Sequence, residues 1–212
     1  MAVKMFHESI TMLCDTGRLT QAARLSKEVG ELFENDDSNE ENVQLAIDSY
    51  QQAADLYEME QQKSQAGQCL VKVAELSSAA LNPPNLLRSA ELYEKLGKDC
   101  LESNLLKYNA KGYFLQSVIC HLANQDSIGA SQAMNRFSSL DYTLSDSREG
   151  KFADSLVQCV EGFDAEGFAT ACFEYDRISK LDPWKTTMLL SVRKAIDGGG
   201  GGDLADDDID LT

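Results

Sequence analysis

The residues that could do chemistry are few, and their spacing suits no known type of catalytic site. The chain has two histidines and six cysteines, and Cys120 and His121 are the one adjacent pair. A thiolate beside an imidazole can act as a nucleophile, but consecutive residues on a helix point about 100° apart and do not face each other. We therefore interpret His121 as a core or boundary residue.

Metal and phosphate sites are equally unsupported by the sequence. Neither His7 nor His121 lies at metal-ligand spacing from another histidine or cysteine. The five-glycine run at 198–202 lacks the Lys-Ser/Thr that follows a phosphate-binding loop, and no predicted strand precedes it. The carboxylates lie on amphipathic helices, where a solvated face is the expected role. The sequence predicts that the chain is not an enzyme and binds no metal or cofactor.

The cysteines point to a reducing compartment. None forms a CxxC pair, and all lie in apolar helical surroundings, which favours buried free thiols. The first residues do not form a signal peptide, because His7 and Glu8 interrupt the only apolar stretch, and no run of 18 apolar residues exists. We expect a cytoplasmic protein. The cysteines are Cys14, Cys69, Cys100, Cys120, Cys159 and Cys172.

The net charge restricts the partners. With 19 basic and 35 acidic residues the chain carries a formal charge of −16, which would repel nucleic acid and anionic membranes. No lysine or arginine occurs from Val29 to Gln62, and the last residues, from Asp197 on, contain acids and no bases. Partners should be basic, or should meet a local basic patch.

Apolar residues at helical spacing run through most of the chain, and the pattern repeats. Ala22, Ala66 and Ala110 are 44 residues apart in similar contexts, and Ala46 and Tyr50 match Ser89 and Tyr93 at a shift of 43. Two helices per period of this length are typical of a TPR-like α-solenoid of paired antiparallel helices, so the predicted fold class is all-α. The predicted helices are at about 2–15, 17–34, 40–60, 63–80, 85–101, 104–124, 127–139, 147–161, 164–180 and 183–196.

The repeat register fades near residue 140, which divides the chain into three predicted parts. Residues 1–140 form the repeats, 141–196 form a C-terminal helical bundle that closes the solenoid, and 197–212 form a flexible glycine-rich, acidic tail. The first helix begins almost at Met1 without a capping residue. A solenoid needs capped ends, so we expect that this chain is a truncated or short form that has lost earlier repeats.

Basic residues in so acidic a chain could be placed for binding. Equivalent positions in a solenoid lie in a row on one face, which could join six cations into a basic track along the concave surface. The alternative is that they are ordinary surface residues that keep the protein soluble, and periodicity alone does not exclude it. The six are Arg18, Arg24, Lys72, Lys107, Lys111 and Arg148.

Several blocks closely resemble the alpha type of the soluble NSF attachment protein family. They are GRLTQAARLSKEVGELFE, AIDSYQQAADLYEMEQQKSQAGQCLVKVAEL, LLKYNAKGYFLQSVICHL, SDSREGKF and EYDRISKLDPWKTTMLLSVRKAI. The SDSRE and LDPWKTTMLL blocks are specific to this family, and the similarity runs from about Ile10 to Ile196.

The resemblance implies an adaptor without nucleotide or chemistry of its own. Members bind the assembled four-helix SNARE bundle, made of syntaxin, SNAP-25-type and synaptobrevin-type proteins, and recruit the N-terminal domains of the hexameric AAA+ ATPase NSF. NSF then pulls the SNARE complex apart in vesicle trafficking, and contact with the membrane is peripheral, through the SNAREs. The family's N-terminal repeats and membrane-touching loop have no counterpart in this sequence.

The resemblance also implies roles for individual residues. Arg24 and Lys111 match basic positions of the SNARE-facing surface, Arg18 and Arg148 are similar to two more, and Gln68 lies where the family often has lysine. An acidic surface at the other end meets NSF. Glu161 matches one of its acidic positions, Asp126 lies beside another, and Asp164 could compensate for the neutral Gln158 and Gly162.

The end of the chain matches a further family feature. Leu211 is the penultimate residue, and the family has a penultimate leucine that is needed to stimulate ATP hydrolysis. The alternative is an apolar residue without function in an acidic tail.

Rival interpretations stay open at this stage. One is a gamma-type member of the same family with another SNARE preference. Another is a TPR-type cochaperone or other peptide-binding scaffold, which would need converging lysines and asparagines in consecutive repeats that we do not find.

Overall fold

The computed structural model describes residues 2–36 and 40–199, and within them the chain forms ten α-helices. The helices are α1 (Ala2–Asp15), α2 (Leu19–Glu34), α3 (Glu40–Met59), α4 (Lys63–Ala79), α5 (Leu86–Leu101), α6 (Ala110–Ala123), α7 (Ser127–Leu140), α8 (Arg148–Glu161), α9 (Ala165–Ile178) and α10 (Pro183–Gly199). Helices that are adjacent in the sequence pack against each other, from α1 on α2 to α9 on α10. The predicted all-α solenoid is confirmed.

The positions that repeat in the sequence are buried positions in the structure. Ala22 of α2, Ala66 of α4 and Ala110 of α6 are all buried. The residues four positions later are buried too, and so are those seven positions later. They are Ser26, Leu70 and Phe114, and Val29, Val73 and Ser117. On α3 and α5 the shift of 43 pairs buried Ala46 with Ser89 and buried Tyr50 with Tyr93. Each repeat therefore buries the same helical stripe against its neighbours.

Small residues at these positions let the helices approach closely. A β-carbon on Gly30 would lie 3.1 Å from the ring of Tyr50, and one on Gly97 would lie 2.4 Å from the ring of Phe114. Buried serine hydroxyls bond across the same interfaces, where Ser26 donates to the carbonyl of Ser49 and Ser117 donates to the carbonyl of Ala90, both at 2.9 Å.

Helix α6 is the most enclosed element, and it explains why the register fades. It contacts α5 and α7 as a repeat helix should, but α8 and α10 also pack on it. Leu115, Ile119 and Leu122 are buried in addition to the repeat stripe, so apolar residues continue around the helix. The sequence of α6 therefore shows no single apolar stripe, because other helices cover more than one of its faces. The division of the chain near residue 140 stays a prediction.

One predicted helix begins later than expected. The helix predicted at 104–124 begins at Ala110, after a turn and a short 3₁₀ helix at Lys107–Asn109. The carbonyl of Ser103 accepts hydrogen bonds from the amides of Leu106 and Lys107. Leu105 is 90% exposed and Tyr108 is 73% exposed, so no buried apolar face supports an α-helix there.

The same tight turn joins four helix pairs. In each, a residue in the left-handed region ends the first helix: Gly17 (φ 72), Gln61 (φ 58), Gln125 (φ 58) and Phe163 (φ 52). The next amide bonds back to a carbonyl five residues earlier, as in Arg18 to Leu13 and Asp126 to His121. Only the first of these turns uses glycine, the residue that adopts this conformation without steric cost.

A candidate partner-binding groove

An open groove runs across α2 and α4. It consists of two adjoining cavities of about 690 Å³ and 400 Å³, and Lys27 and Glu31 line both. Tyr50 and Tyr57 of α3 and Tyr113 of α6 contribute to the walls. Several positions of α2 and α4 that lie outside the buried repeat positions line this groove together.

The charge of the groove is mixed rather than basic. Its walls carry three cations, Arg24, Lys27 and Lys72, and four carboxylates, which are Glu28, Glu31, Glu34 and Glu75. Arg24 lies 3.1 Å from Glu28 and Lys72 lies 2.7 Å from Glu34. These ion pairs compensate much of the positive charge that the sequence suggested.

The Lys72–Glu34 pair is the more organised of the two. Glu34 also accepts a hydrogen bond of 2.6 Å from the Tyr50 hydroxyl, and the second carboxylate near Lys72, that of Glu75, lies 3.8 Å away. Burial lowers the pKa of Lys72, but the hydrogen bond and charge of Glu34 outweigh it and raise the pKa overall. Burial raises the pKa of Tyr50, and the hydrogen bond to Glu34 and the charge of Glu34 add to the rise.

Two of the six predicted cations line the groove. Arg24 and Lys72 lie in its walls, and Gln68, the register equivalent of Arg24, lies there too. Arg18 is exposed at the residue before α2 and makes no side-chain cap there. Lys111 is half-buried on α6, outside the lining of these two cavities.

The remaining two predicted cations belong to other local structures. Lys107 lies on the 3₁₀ helix, with its ammonium 5.5 Å from the centre of the Tyr108 ring. Arg148 is the first residue of α8, and it donates a hydrogen bond of 2.7 Å to the Ser179 hydroxyl at the end of α9. Neither lines the α2–α4 groove.

Sequence reasoning missed Lys27 and the two carboxylates that hold Lys72. Lys27 could have been found, because it lies three residues after Arg24 and therefore on the same face of α2. The pairing of Lys72 with Glu34 could not, because the two residues lie on different helices and are 38 residues apart.

Two of the acidic residues predicted to bind NSF, Asp126 and Asp164, have a clear structural role. Asp126 precedes α7 and accepts a hydrogen bond of 2.8 Å from the amide of Gly129, and Asp164 does the same for the amide of Gly167 at the start of α9. Both are N-caps, which satisfy backbone donors that a helix start leaves free. Glu161 is exposed at the last residue of α8. Leu211 lies outside the described residues, as does nearly all of the predicted tail at 197–212.

Cys120 and His121 do not form a nucleophilic pair. The Cys120 thiol is buried, and burial raises its pKa, so it stays protonated at neutral pH. His121 instead lies 3.5 Å from the Asp126 carboxylate through its Nδ1 atom. Burial also raises the pKa of the Cys69 thiol to about 11 and that of the Cys172 thiol to about 12.

The described part of the chain, residues 2–36 and 40–199, contains neither a metal-binding cluster nor a membrane-spanning helix. In this part of the chain, no set of three or more histidine, cysteine and acidic residues is arranged to hold a metal ion. None of the helices within it is both long and apolar enough to cross a bilayer.

Comparison with known proteins identifies the family. The family model described as "Soluble NSF attachment protein, SNAP" matches residues 1–197. The chain is 34% identical over 195 residues to the alpha-soluble NSF attachment protein of Vitis vinifera, covering 92% of this chain and 65% of that protein. It is 36% identical over 197 residues to the protein of the same name in Mus musculus, covering 93% and 64%.

A fungal relative agrees with these matches. The vesicular-fusion protein SEC17 of Coprinopsis cinerea is 33% identical over 196 residues, covering 92% of this chain and 66% of that protein. The chain thus spans slightly less than two thirds of the length of the plant and mouse relatives. A model match over nearly the whole chain and relatives of this identity place the protein in the soluble NSF attachment protein family.

Proposed function

We propose that this chain is an adaptor that binds the assembled SNARE four-helix bundle and recruits and stimulates NSF for SNARE disassembly in vesicle trafficking. The names of the relatives support the attachment to NSF and the role in vesicle fusion. The single structural observation that carries the SNARE part is that Arg24 and Lys72 line one groove across α2 and α4.

A helical partner would have to place its acidic residues beside the cations of the groove, because the groove as a whole carries one more carboxylate than cations. It is open along its length, crosses two equivalent repeat helices, and presents Arg24 with 79% of its side chain exposed. Exposed ion pairs are individually weak, about 0.2–1 kcal/mol each, so binding would depend on several cations acting together. Arg18, Lys107, Lys111 and Arg148 would extend the contact beyond the groove. This chain would meet the membrane only peripherally, through the SNAREs.

The second proposed surface engages the basic N-terminal domains of NSF. Glu161 is exposed at the end of α8, and Asp164 follows it closely at the start of α9. Asp126 caps α7 in the same way. Leu211 is proposed to act in ATPase stimulation rather than in binding the SNARE bundle.

Charge reversal in the groove tests the SNARE surface. The double variant Arg24→Glu and Lys72→Glu should bind a purified SNARE complex about tenfold more weakly or worse, since it replaces two attractions with two repulsions. Lys180→Glu is the matched control, because Lys180 is 84% exposed, pairs with Asp176 and does not line the groove. Equal binding by all three proteins in a pull-down titration would contradict the groove assignment.

The ATPase assay tests the NSF surface separately. The SNARE-bound chain should stimulate ATP hydrolysis by NSF, Leu211→Ala should lose the stimulation, and Glu161→Lys should lose NSF binding. If Leu211→Ala stimulates as well as the unaltered chain, the proposed role of Leu211 is wrong. If the unaltered chain binds SNAREs but never stimulates ATP hydrolysis by NSF, the adaptor proposal fails. The chain would then be a competitor of full-length family members for SNARE binding.

A further inference from the structure

A separate cleft lies between α1 and α3, which both pack on α2. It has a volume of about 310 Å³. Val29 and Phe33 of α2 line it, whereas Lys27 and Glu31 of the same helix line the groove. Residues two positions apart lie on nearly opposite sides of a helix, because successive residues point about 100° apart. The cleft and the groove therefore open on different sides of α2.

The inside of the cleft is apolar. Five apolar side chains line it, two of them buried and three half-buried, and all three helices contribute. Its volume is at the low end of the range of ligand sites, about 300–1,000 Å³, which suits the insertion of one or two apolar side chains. The five are Phe6, Ile10, Val29, Phe33 and Leu45.

The α3 side of the cleft is acidic. Asp48 and Asp55 are exposed there two helical turns apart, and each accepts a hydrogen bond of 2.8 Å from the amide of the glutamine four residues earlier. A neutral amide leaves the negative charge of a carboxylate uncompensated. Among the described residues that line the cleft there is no lysine or arginine, and α3 contains none. Lys4 of α1 pairs with Glu8 of its own helix.

The later helices of the same row, α3, α5 and α7, are joined by cations of the chain itself. In each contact the later helix supplies the cation and the earlier helix supplies the acceptor. The contacts are Arg88 to the side chain of Gln51 at 3.0 Å, Lys95 to Glu58 at 2.7 Å, and Arg136 to Glu94 at 2.9 Å. Helix α3 follows α1 in the same order but carries acids in place of bases. The chain therefore supplies no lysine or arginine of α3 to the α1–α3 cleft.

We propose that the α1–α3 cleft binds an amphipathic helix of a protein partner that carries lysines or arginines beside its apolar face. One or two apolar side chains of that helix would enter the cleft, and two cations seven residues apart would reach Asp48 and Asp55. The partner thus supplies the cations that the chain itself supplies between the later helices. This partner is basic, in contrast to the acidic SNARE bundle proposed for the groove, and the cleft would bind it whether or not the groove binds SNAREs.

A fluorescein-labelled helical peptide tests the cleft directly. It is based on alanine, with two leucines four residues apart and two lysines seven residues apart on one flank of the leucine face. Titration with the full chain should give a saturable rise in fluorescence anisotropy. Replacing both lysines by glutamine should weaken binding about fivefold, because two exposed ion pairs are lost, and replacing both leucines by alanine should weaken it about tenfold. No saturable rise, or equal binding of the lysine and glutamine peptides, would overturn the proposal.

Two double variants with the same change in net charge locate the binding. Asp48→Asn combined with Asp55→Asn should weaken binding of the lysine peptide about fivefold. Asp146→Asn combined with Asp154→Asn removes two exposed carboxylates that do not line the cleft, and it should leave binding unchanged. Asp154 is a close match, because it accepts a hydrogen bond from the Gln158 amide as the cleft aspartates do from theirs. Equal weakening in both double variants would mean that the peptide responds only to net charge, which contradicts the assignment.

A further variant supplies the missing cation from α1. His7 lines the cleft, so His7→Arg brings a guanidinium group to the same cleft as Asp48 and Asp55. It should weaken binding of the lysine peptide about fivefold, and it should weaken binding of the glutamine peptide less. Circular dichroism checks that the variant is folded. Undiminished binding of the lysine peptide by folded His7→Arg would contradict the role of the two aspartates.

Sedimentation of the full chain without peptide tests another occupant of the cleft. We expect no self-association through the cleft. A dimer that Asp48→Asn with Asp55→Asn dissociates would show that a second copy of this chain occupies the cleft, and the proposed basic partner would be wrong. The peptide titration contains neither SNAREs nor NSF, so this proposal and the adaptor proposal can fail independently.

Discussion

The two N-terminal tight turns and the two C-terminal ones share a backbone conformation but differ in the role of the next residue. After Gly17 and Gln61 come Arg18 and Gln62, whose side chains make no cap for α2 or α4. After Gln125 and Phe163 come Asp126 and Asp164, which both cap the next helix. The first side chains after the N-terminal turns thus have no capping role, whereas those after the C-terminal turns hold helix starts.

This difference matters for the acidic residues assigned to NSF binding. A residue that caps a helix affects stability whether or not it touches a partner, so loss of binding after its removal is ambiguous. Arg18 and Arg24, which hold no helix start, do not have this ambiguity. Experiments on the two ends therefore need different controls.

The largest expected effect lies at the α5–α6 contact that joins the repeats to the C-terminal helices. Gly97→Ala would place a β-carbon 2.4 Å from the Phe114 ring, and we expect it to lower the free energy of unfolding by about 2–3 kcal/mol. Gly112→Ala is the control, because a β-carbon there meets nothing within 4 Å. Urea denaturation of both variants makes the comparison, and equal stabilities would show that α5 and α6 are not tightly packed.

A smaller effect on stability is expected at Asp164, where two substitutions distinguish helix capping from NSF binding. Asp164→Ala should lower the free energy of unfolding by about 1 kcal/mol, whereas Asp164→Asn keeps a capping oxygen and should cost much less. Both variants remove the charge. If the carboxylate itself binds NSF, both should weaken NSF binding in a pull-down titration. If binding falls only in Asp164→Ala, the residue acts through the helix start.

The smallest effect concerns the turn residue itself. Phe163→Gly should raise the free energy of unfolding by about 0.5–1 kcal/mol, because glycine adopts a positive φ without the clash of a β-carbon. The Phe163 side chain is 66% exposed, so little buried contact is lost. Gln125→Gly should give a similar gain in the same denaturation assay. A loss of stability in Phe163→Gly alone would mean that its ring packs against a neighbour in solution.

Much of the fold was predictable, because its signal is local and repeated. The shifts of 44 and 43 residues that the sequence shows in Ala22, Ala66 and Ala110 and in Tyr50 and Tyr93 are the buried positions of the structure. The predicted start of α6 was wrong by about a turn and a half, because the apolar residues Leu105 and Leu106 look like part of a helix but lie in an exposed connection.

The candidate site was less predictable than the fold. Arg24 and Lys72 both lie in the walls of the groove, and their role in binding a partner stays a prediction. The carboxylate of Glu34 beside Lys72 was not predictable, because this pairing depends on a contact between distant segments that no local pattern encodes. Sequence reasoning also missed the capping role of Asp126 and Asp164, although an aspartate at the start of a predicted helix is a local signal for it.

The return of α10 onto the repeats also has a consequence for the order of folding. The serine hydrogen bonds inside the repeats join residues 15 to 27 apart, whereas the Trp184–Ser78 hydrogen bond joins residues 106 apart. Contacts between distant residues cost more loop-closure entropy and form more slowly. During synthesis, α2 to α5 can pair before α10 has left the ribosome. We therefore expect the groove to form first, and the contact between Trp184 and Ser78 only after α10 has been synthesised.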